Sequence, residues 1–396
     1  MGGVPRRDLV LLPLISLLTL LVMLVGAEVT ARVGWPEQKV NACSVPDRVL
    51  GVRYAPNCSS TMKAVEGPWY TNHYNACGYR SDTPCGPVPA GTRRIAIIGT
   101  SMSEGYLVEY PDTVAARLGA DLSAMCGKPV DVQNLASVYY SGRRLLVRMD
   151  EALTLRPSAV LLVIPPYDIE AQLDDAADPI TGTDPPARAV PRDRVADGNQ
   201  VNLRQRLALW LRESRAVTVA EHFLFQQEST YLDLYLRYGD KADFLRPPFS
   251  AAWQERLRRF DLLVAELARR AHRANVPFTL AFVPQQAQLM LMEGIDPKPG
   301  VDPRALARAL AAIASRHGVD FIDTSDALRV ERQASRLYYV VDGHPSGVGQ
   351  PIIARDIARH YTKSPSGLFS DCRTDLVAGE VNDRASGGPA PTRTLK

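Results

Sequence analysis

Arg94-Ile95-Ala96-Ile97-Ile98-Gly99-Thr100-Ser101-Met102-Ser103-Glu104-Gly105 decides how this chain folds. A short Ile-rich run without polar alternation is the pattern of a strand buried on both faces. It ends at a glycine, and a serine stands two residues later, where such a strand hands over to a helix. Downstream the same alternation repeats. Asp112 precedes the stripe Val114, Leu118, Leu122, so a helix starts there. Val130–Leu135 is a second strand, Leu145, Met149 and Leu153 mark a helix, and Ala159–Ile164 is a third strand. Leu257, Phe260, Leu263 and Leu267 form another helical stripe before a fourth strand at Phe278–Val283. Asp302-Pro303 reads as a helix start, Gly318 as its stop, Val319–Ile322 as a fifth strand, and Ile352 to Tyr361 as a closing helix. Five buried runs alternating with helices predict an α/β domain with a parallel sheet covered on both faces. Ligands on such sheets bind beyond the carboxyl ends of the strands. Ser101 belongs on that edge.

Late in the chain comes Val341-Asp342-Gly343-His344-Pro345. A serine hydroxyl is a weak nucleophile until a base takes its proton, and a histidine oriented by a carboxylate does this near neutral pH. Ser101, His344 and Asp342 supply nucleophile, base and orienting acid. His222, His272, His317 and His360 sit on helical patterns without a companion motif and read as surface or packing residues. Rival motifs fail. The Gly99 loop lacks the Lys of a phosphate-binding loop and the second glycine of Gly-x-Gly-x-x-Gly. It is not a Gly-x-Ser-x-Gly elbow either, because residue 103 is Ser.

Composition sets the compartment. Hydrophobic residues make up 46% of the 396, enough for a sizeable core, and 46 basic residues against 43 acidic give a net charge of +3. That balance, with no basic stripe interleaved with aromatics, gives no reason to expect a nucleic-acid partner. Arg6 and Arg7 precede an apolar stretch from Leu9 to Ala27, which as a helix spans about 28 Å, close to the ~30 Å hydrocarbon core. Positive residues stay in the cytoplasm, so the rest of the chain is expected outside it. Val25-Gly26-Ala27 also offers a signal-peptidase site, but the run outlasts the usual ~7–15 apolar residues of a signal peptide, which favours a retained anchor. Six cysteines fit an oxidising space: Cys43, Cys58, Cys77, Cys85, Cys126 and Cys372. Cys43 with Cys58 and Cys77 with Cys85 are the nearest pairings, and spacing leaves the connectivity open. No Cys-x-x-Cys occurs, so the sequence implies no metal, and no organic cofactor either.

The expected organisation is a membrane anchor or signal segment over 1–27, an irregular Cys-containing lead-in over 28–92, and a catalytic domain over 93–364. An insertion over 171–251 is laid over one end of the sheet, with a mobile stretch from Asp174 to Gln200 and helix around Leu203, Leu207 and Leu211. More helix is expected between Phe223 and Tyr238. Residues 365–396 read as a disordered tail.

These blocks carry a resemblance. The chain resembles the SGNH/GDSL hydrolase superfamily, and within it a membrane-anchored bacterial subgroup, over roughly residues 47–170 and 253–362. The family's first block, usually Gly-Asp-Ser, corresponds to Gly99-Thr100-Ser101, with Ser101 as nucleophile and its N–H as an oxyanion donor. The last block corresponds to Asp342-Gly343-His344-Pro345, with Asp-x-His spacing. Asn75-Ala76-Cys77-Gly78-Tyr79-Arg80 is similar to an Asn-x-x-Gly-x-Arg segment of the subgroup. The second and third blocks depart from the pattern. The glycine expected five residues after Asn134 is Tyr139, with Gly142 nearby, and Gly-x-Asn-Asp becomes Pro165-Pro166-Tyr167-Asp168. Tyr139, Gly142 and Tyr167 are therefore the candidates that join Ser101 in an oxyanion hole.

The resemblance implies a flavodoxin-like three-layer α/β/α fold with a five-stranded parallel sheet and an N-terminal transmembrane helix. It also implies a single-pass protein of the bacterial inner membrane, with a serine esterase in the periplasm acting on an acylated glycan or small ester. Two rivals keep the same fold: an O-acyltransferase using the same triad, and a catalytically idle binding or assembly component of an envelope polysaccharide system. Gln285 and Gln286 are candidate sugar contacts or strand caps. Arg80 is a candidate anion contact or structural donor, and Asp168 a loop organiser.

Overall fold

The computed structural model describes residues 7–171, 213–237, 239–295, 298–331, 333–363 and 369–372. The segment from Asp174 to Gln200, the helix expected around Leu203 and the tail from about Arg373 lie outside the described residues.

Helix α1 (Asp8–Gly34) is the apolar N-terminal segment. None of its apolar window is buried against the rest of the chain, and it is long and apolar enough to cross a membrane. The lead-in then forms two short antiparallel hairpins, β1 (Ser44–Asp47) with β2 (Gly51–Tyr54) and β3 (Ser59–Met62) with β4 (Tyr70–His73). Disulfides Cys43–Cys58 and Cys77–Cys85 staple this region. Four-residue strands are too short to show a period of two, so sequence patterning reads them as irregular.

The main sheet is parallel throughout. Its strands are β5 (Arg93–Gly99), β6 (Val130–Asn134), β7 (Ala159–Ile164), β8 (Phe278–Phe282) and β9 (Asp320–Asp323), in spatial order β6-β5-β7-β8-β9. This is the flavodoxin-like order, in which strand addition switches from one side of β5 to the other and leaves a crevice at the carboxyl ends of β5 and β7.

The apolar runs divide between two cores because successive side chains point to opposite faces. Ile95, Ile97, Leu161 and Val163 pack with α3 (Val114–Cys126) and α13 (Gly349–Lys363). Ala96, Ile98, Val160 and Leu162 pack with α4 (Arg143–Thr154), α8 (Ala251–Arg273) and α10 (Ala305–Arg316). Shorter helices follow the strands at the carboxyl edge: α2 (Ser101–Glu104), α5 (Pro166–Ala171), α9 (Gln286–Met292), α11 (Ser325–Arg329) and α12 (Ala334–Leu337).

Two helix starts differ from expectation by local chemistry. Thr113, not Asp112, caps α3, its side chain accepting from Ala116 N–H. Asp302 accepts from Arg304 N–H in a turn, so α10 begins at Ala305 rather than beside Pro303. Between β7 and β8 the described residues also form α6 (Arg215–Phe225) and α7 (Glu228–Tyr235). A third disulfide, Cys126–Cys372, joins the end of α3 to the segment beyond α13.

Candidate active site

Strand β5 delivers Ser101 to the crevice through a turn that only glycine permits. Gly99 has φ +148°, and a Cβ there would lie 2.0 Å from Ser103 Oγ. Ser103 is occupied locally, donating to the Val163 carbonyl at 2.8 Å. Ser101 is the first residue of α2, so its N–H has no acceptor inside the helix. Arg80, fully buried, pins the next turn. Its guanidinium donates to the carbonyls of Glu104 (2.9 Å), Gly105 (2.7 Å) and Val108 (2.6 Å). Arg80 is thus a structural donor, not a surface anion contact.

The Asp342–His344 loop reaches the same edge. His344 Nε2 lies 2.7 Å from Ser101 Oγ, and its Nδ1 is hydrogen-bonded to Asp342 Oδ1. With Nδ1–H donated to the carboxylate, Nε2 keeps the lone pair that can take a proton from the serine. Tyr106 packs against the imidazole in a T-shaped contact at a centroid distance of 5.1 Å. Burial disfavours the charged ring, but the Asp342 carboxylate outweighs it and His344 is raised above the ordinary imidazole value. Asp342 is lowered: burial opposes its charge, and His344 overcomes that opposition.

A second carboxyl lies near enough to act on the imidazole through its charge. Asp168, 4% exposed, receives the Thr100 hydroxyl at 2.7 Å to each of its oxygens. Burial pushes it up to about 7, offset in part by the Thr100 hydrogen bond and the nearby His344.

The cavity in front of Ser101 has a volume of about 710 Å³, and its walls include Tyr139, Tyr167, Asp342 and His344. Gly142 is not among the lining residues; it caps α4 with φ +51°. The loop after β6 spends its N–H groups internally. Val138 N–H donates to Glu104 at 2.9 Å, Tyr140 N–H to the Ser137 carbonyl at 3.0 Å, and Tyr139 N–H to Ser137 Oγ at a long 3.4 Å. Tyr167 is 58% exposed at the start of α5. Gln285 accepts from the Tyr235 hydroxyl and forms a capping box with Gln288, which makes it a strand and helix cap on the cavity wall.

Sequence reasoning missed Glu104. Only 2% exposed, it accepts from Tyr54 OH (2.8 Å), Tyr74 OH (3.3 Å) and Val138 N–H, tying the lead-in to the cavity floor. It sits in the quoted Ser101–Gly105 block, but nothing local marks a carboxylate whose partners lie 30 to 50 residues away.

The fold and site together define a Ser–His–Asp arrangement at the crevice of a flavodoxin-like sheet. No protein-family profile and no curated protein matches the chain. Among solved structures, a lipase/acylhydrolase from Enterococcus faecalis shares 14% identity, with 68% of this chain and 94% of that chain covered and a TM-score of 0.35. A member of the lipolytic G-D-S-L family from Veillonella parvula shares 14%, covering 69% of this chain and 100% of that chain at a TM-score of 0.35. A psychrotrophic esterase from Pseudoalteromonas sp. shares 11%, covering 67% and 94% at 0.33. Likeness this low carries no argument about activity, which has to be read from the side chains.

Proposed function

We propose that this protein is a serine-dependent ester hydrolase of the SGNH type, acting outside the cytoplasm on acyl groups of an envelope glycan. The observation that carries the reading is the 2.7 Å contact between Ser101 Oγ and His344 Nε2, with Asp342 on the other ring nitrogen. Ser101 Oγ attacks the ester carbonyl as His344 takes its proton. The oxyanion rests on Ser101 N–H, with Tyr139 N–H, once released from its long bond, or the Tyr167 hydroxyl as second donor. Collapse expels the alcohol, which takes the proton back from His344. Water, deprotonated by the same nitrogen, then releases the acid and frees the serine.

The exported location is supported by the arginines ahead of α1, by the apolar span, and by three disulfides among the described residues. The glycan is supported by the aromatic side chains among the cavity walls, Tyr106, Tyr139, Tyr167 and Tyr235, the amphipathic type of side chain suited to sugar rings. A second reading, an idle binding component, is favoured by the internal commitment of the Val138 and Tyr139 N–H groups. A fluorophosphonate probe separates the two. Labelling of the full chain that disappears in Ser101→Ala supports the enzyme, and release of acetate from envelope glycan by the same protein supports the substrate. No labelling alongside a reactive control hydrolase refutes the hydrolase reading.

A further inference from the structure

The Asp342–His344 loop is held from outside the sheet by a carboxylate that the chemistry above does not use. Glu66 lies in the turn between β3 and β4, and its side chain is only 3% exposed. Its Oε2 accepts from two successive backbone N–H groups, Val341 and Asp342, both at 2.9 Å. Its Oε1 meets His222 Nδ1 at 2.6 Å. The turn is moulded onto the loop: Gly67 has φ +77°, and a Cβ there would lie 2.7 Å from the Tyr339 ring. Tyr339 in turn closes the loop, its N–H donating to the His344 carbonyl at 2.9 Å and its carbonyl accepting from Gly343 N–H at 2.7 Å.

His222 belongs to α6, whose N-terminus is fixed by the anchor helix. Glu28 of α1 accepts from Ser214 Oγ at 2.8 Å and from Ala216 N–H at 3.0 Å. Arg215 donates to the Trp35 carbonyl at 2.6 Å. A continuous set of contacts therefore runs from the end of α1 through α6 and Glu66 to the backbone of Asp342.

We propose that Glu66 is a positioning residue for the Ser101–His344–Asp342 relay, braced by His222 from α6. By fixing the peptide at 341–342 it sets where the Asp342 carboxylate stands, and so the orientation of the His344 ring. This rests on the hydrolase reading for its kinetic consequence, but not for its structural one. Misplacing a reacting group by about 1 Å costs on the order of 100-fold in rate.

In the full chain, Glu66→Gln is expected to lower kcat on a soluble aryl ester by ~10–100-fold while KM stays within ~threefold. His344, followed by magnetic resonance on isotope-labelled histidine, is expected to titrate above the ordinary ~6.5 in the parent and closer to it in the variant. His222→Ala, a change on a partly exposed helix face, is expected to shift both readouts in the same direction and keeps the test alive if Glu66→Gln does not fold. Parent-like kcat and parent-like His344 titration in the folded variants overturn the proposal. A parent protein without esterase activity refutes the hydrolase reading alone, since the histidine titration still reports on Glu66.

Discussion

Replacing Asp168 with asparagine should stabilise the folded protein at alkaline pH and leave it nearly unchanged at acid pH. The carboxyl is buried at 4% exposure and is pushed from 3.8 up to about 7, chiefly by that burial. Below 3.8 it is protonated in both folded and unfolded chains and contributes nothing to pH dependence. Between 3.8 and about 7 the unfolded chain releases the proton while the folded one retains it, so stability falls as pH rises and levels off above that window. Three pH units at ~1.36 kcal/mol each set a ceiling of about 4 kcal/mol. Asparagine keeps the shape and can still accept the Thr100 hydroxyl, but it has no charge to bury. Urea unfolding of parent and variant in the same detergent, at pH 4 and pH 8.5, reads the difference and cancels the titrating groups that do not couple to Asp168. A gain of about 2–4 kcal/mol confined to pH 8.5 is expected. An equal effect at both values, or a loss at pH 8.5, would refute the claim that burial of this carboxylate is a standing cost.

Three further outcomes can be checked directly. Ser101→Ala should abolish fluorophosphonate labelling and lower kcat by ~10⁴-fold or more, with the fold intact by circular dichroism. Tyr167→Asn places a side-chain amide where the resemblance expects an oxyanion donor, and one such donor is worth ~10²–10³ in kcat. A rise of at least ~10-fold in steady-state kcat is expected, and no rise places the hole elsewhere. Opening the Cys126–Cys372 bridge by a double serine change removes a closure across 246 residues, for which chain entropy sets a ceiling of about 5.5 kcal/mol, read by non-reducing urea unfolding.

The sheet was legible because its strands are buried on both faces and so write themselves as unbroken apolar runs such as Ile95–Ile98 and Ala159–Ile164. The stripe Leu257, Phe260, Leu263, Leu267 located α8 for the matching reason of period. Ser101 and His344 could be singled out because each stands in a short block whose glycine or proline neighbours mark a loop. What could not be read was long-range pairing. Cys126 gives no local sign of Cys372, and Glu104 and Glu66 look like surface acids until the folded chain buries them. The hairpins of the lead-in escaped because four residues do not establish a period. The oxyanion candidates are intermediate: the sequence names Tyr139 and Gly142, but only the backbone path shows which N–H groups are already spent.

The Cys126–Cys372 bond also fixes what a protease can achieve. Every peptide bond between those two residues, the whole insertion included, lies inside one covalent ring. A single cut there leaves both fragments linked, so a nicked molecule runs at full mass until thiol is added. Clipping in an oxidising compartment would thus be invisible to any assay that reads size alone, and even a cut that falls between the serine and the histidine would leave both carried by one particle.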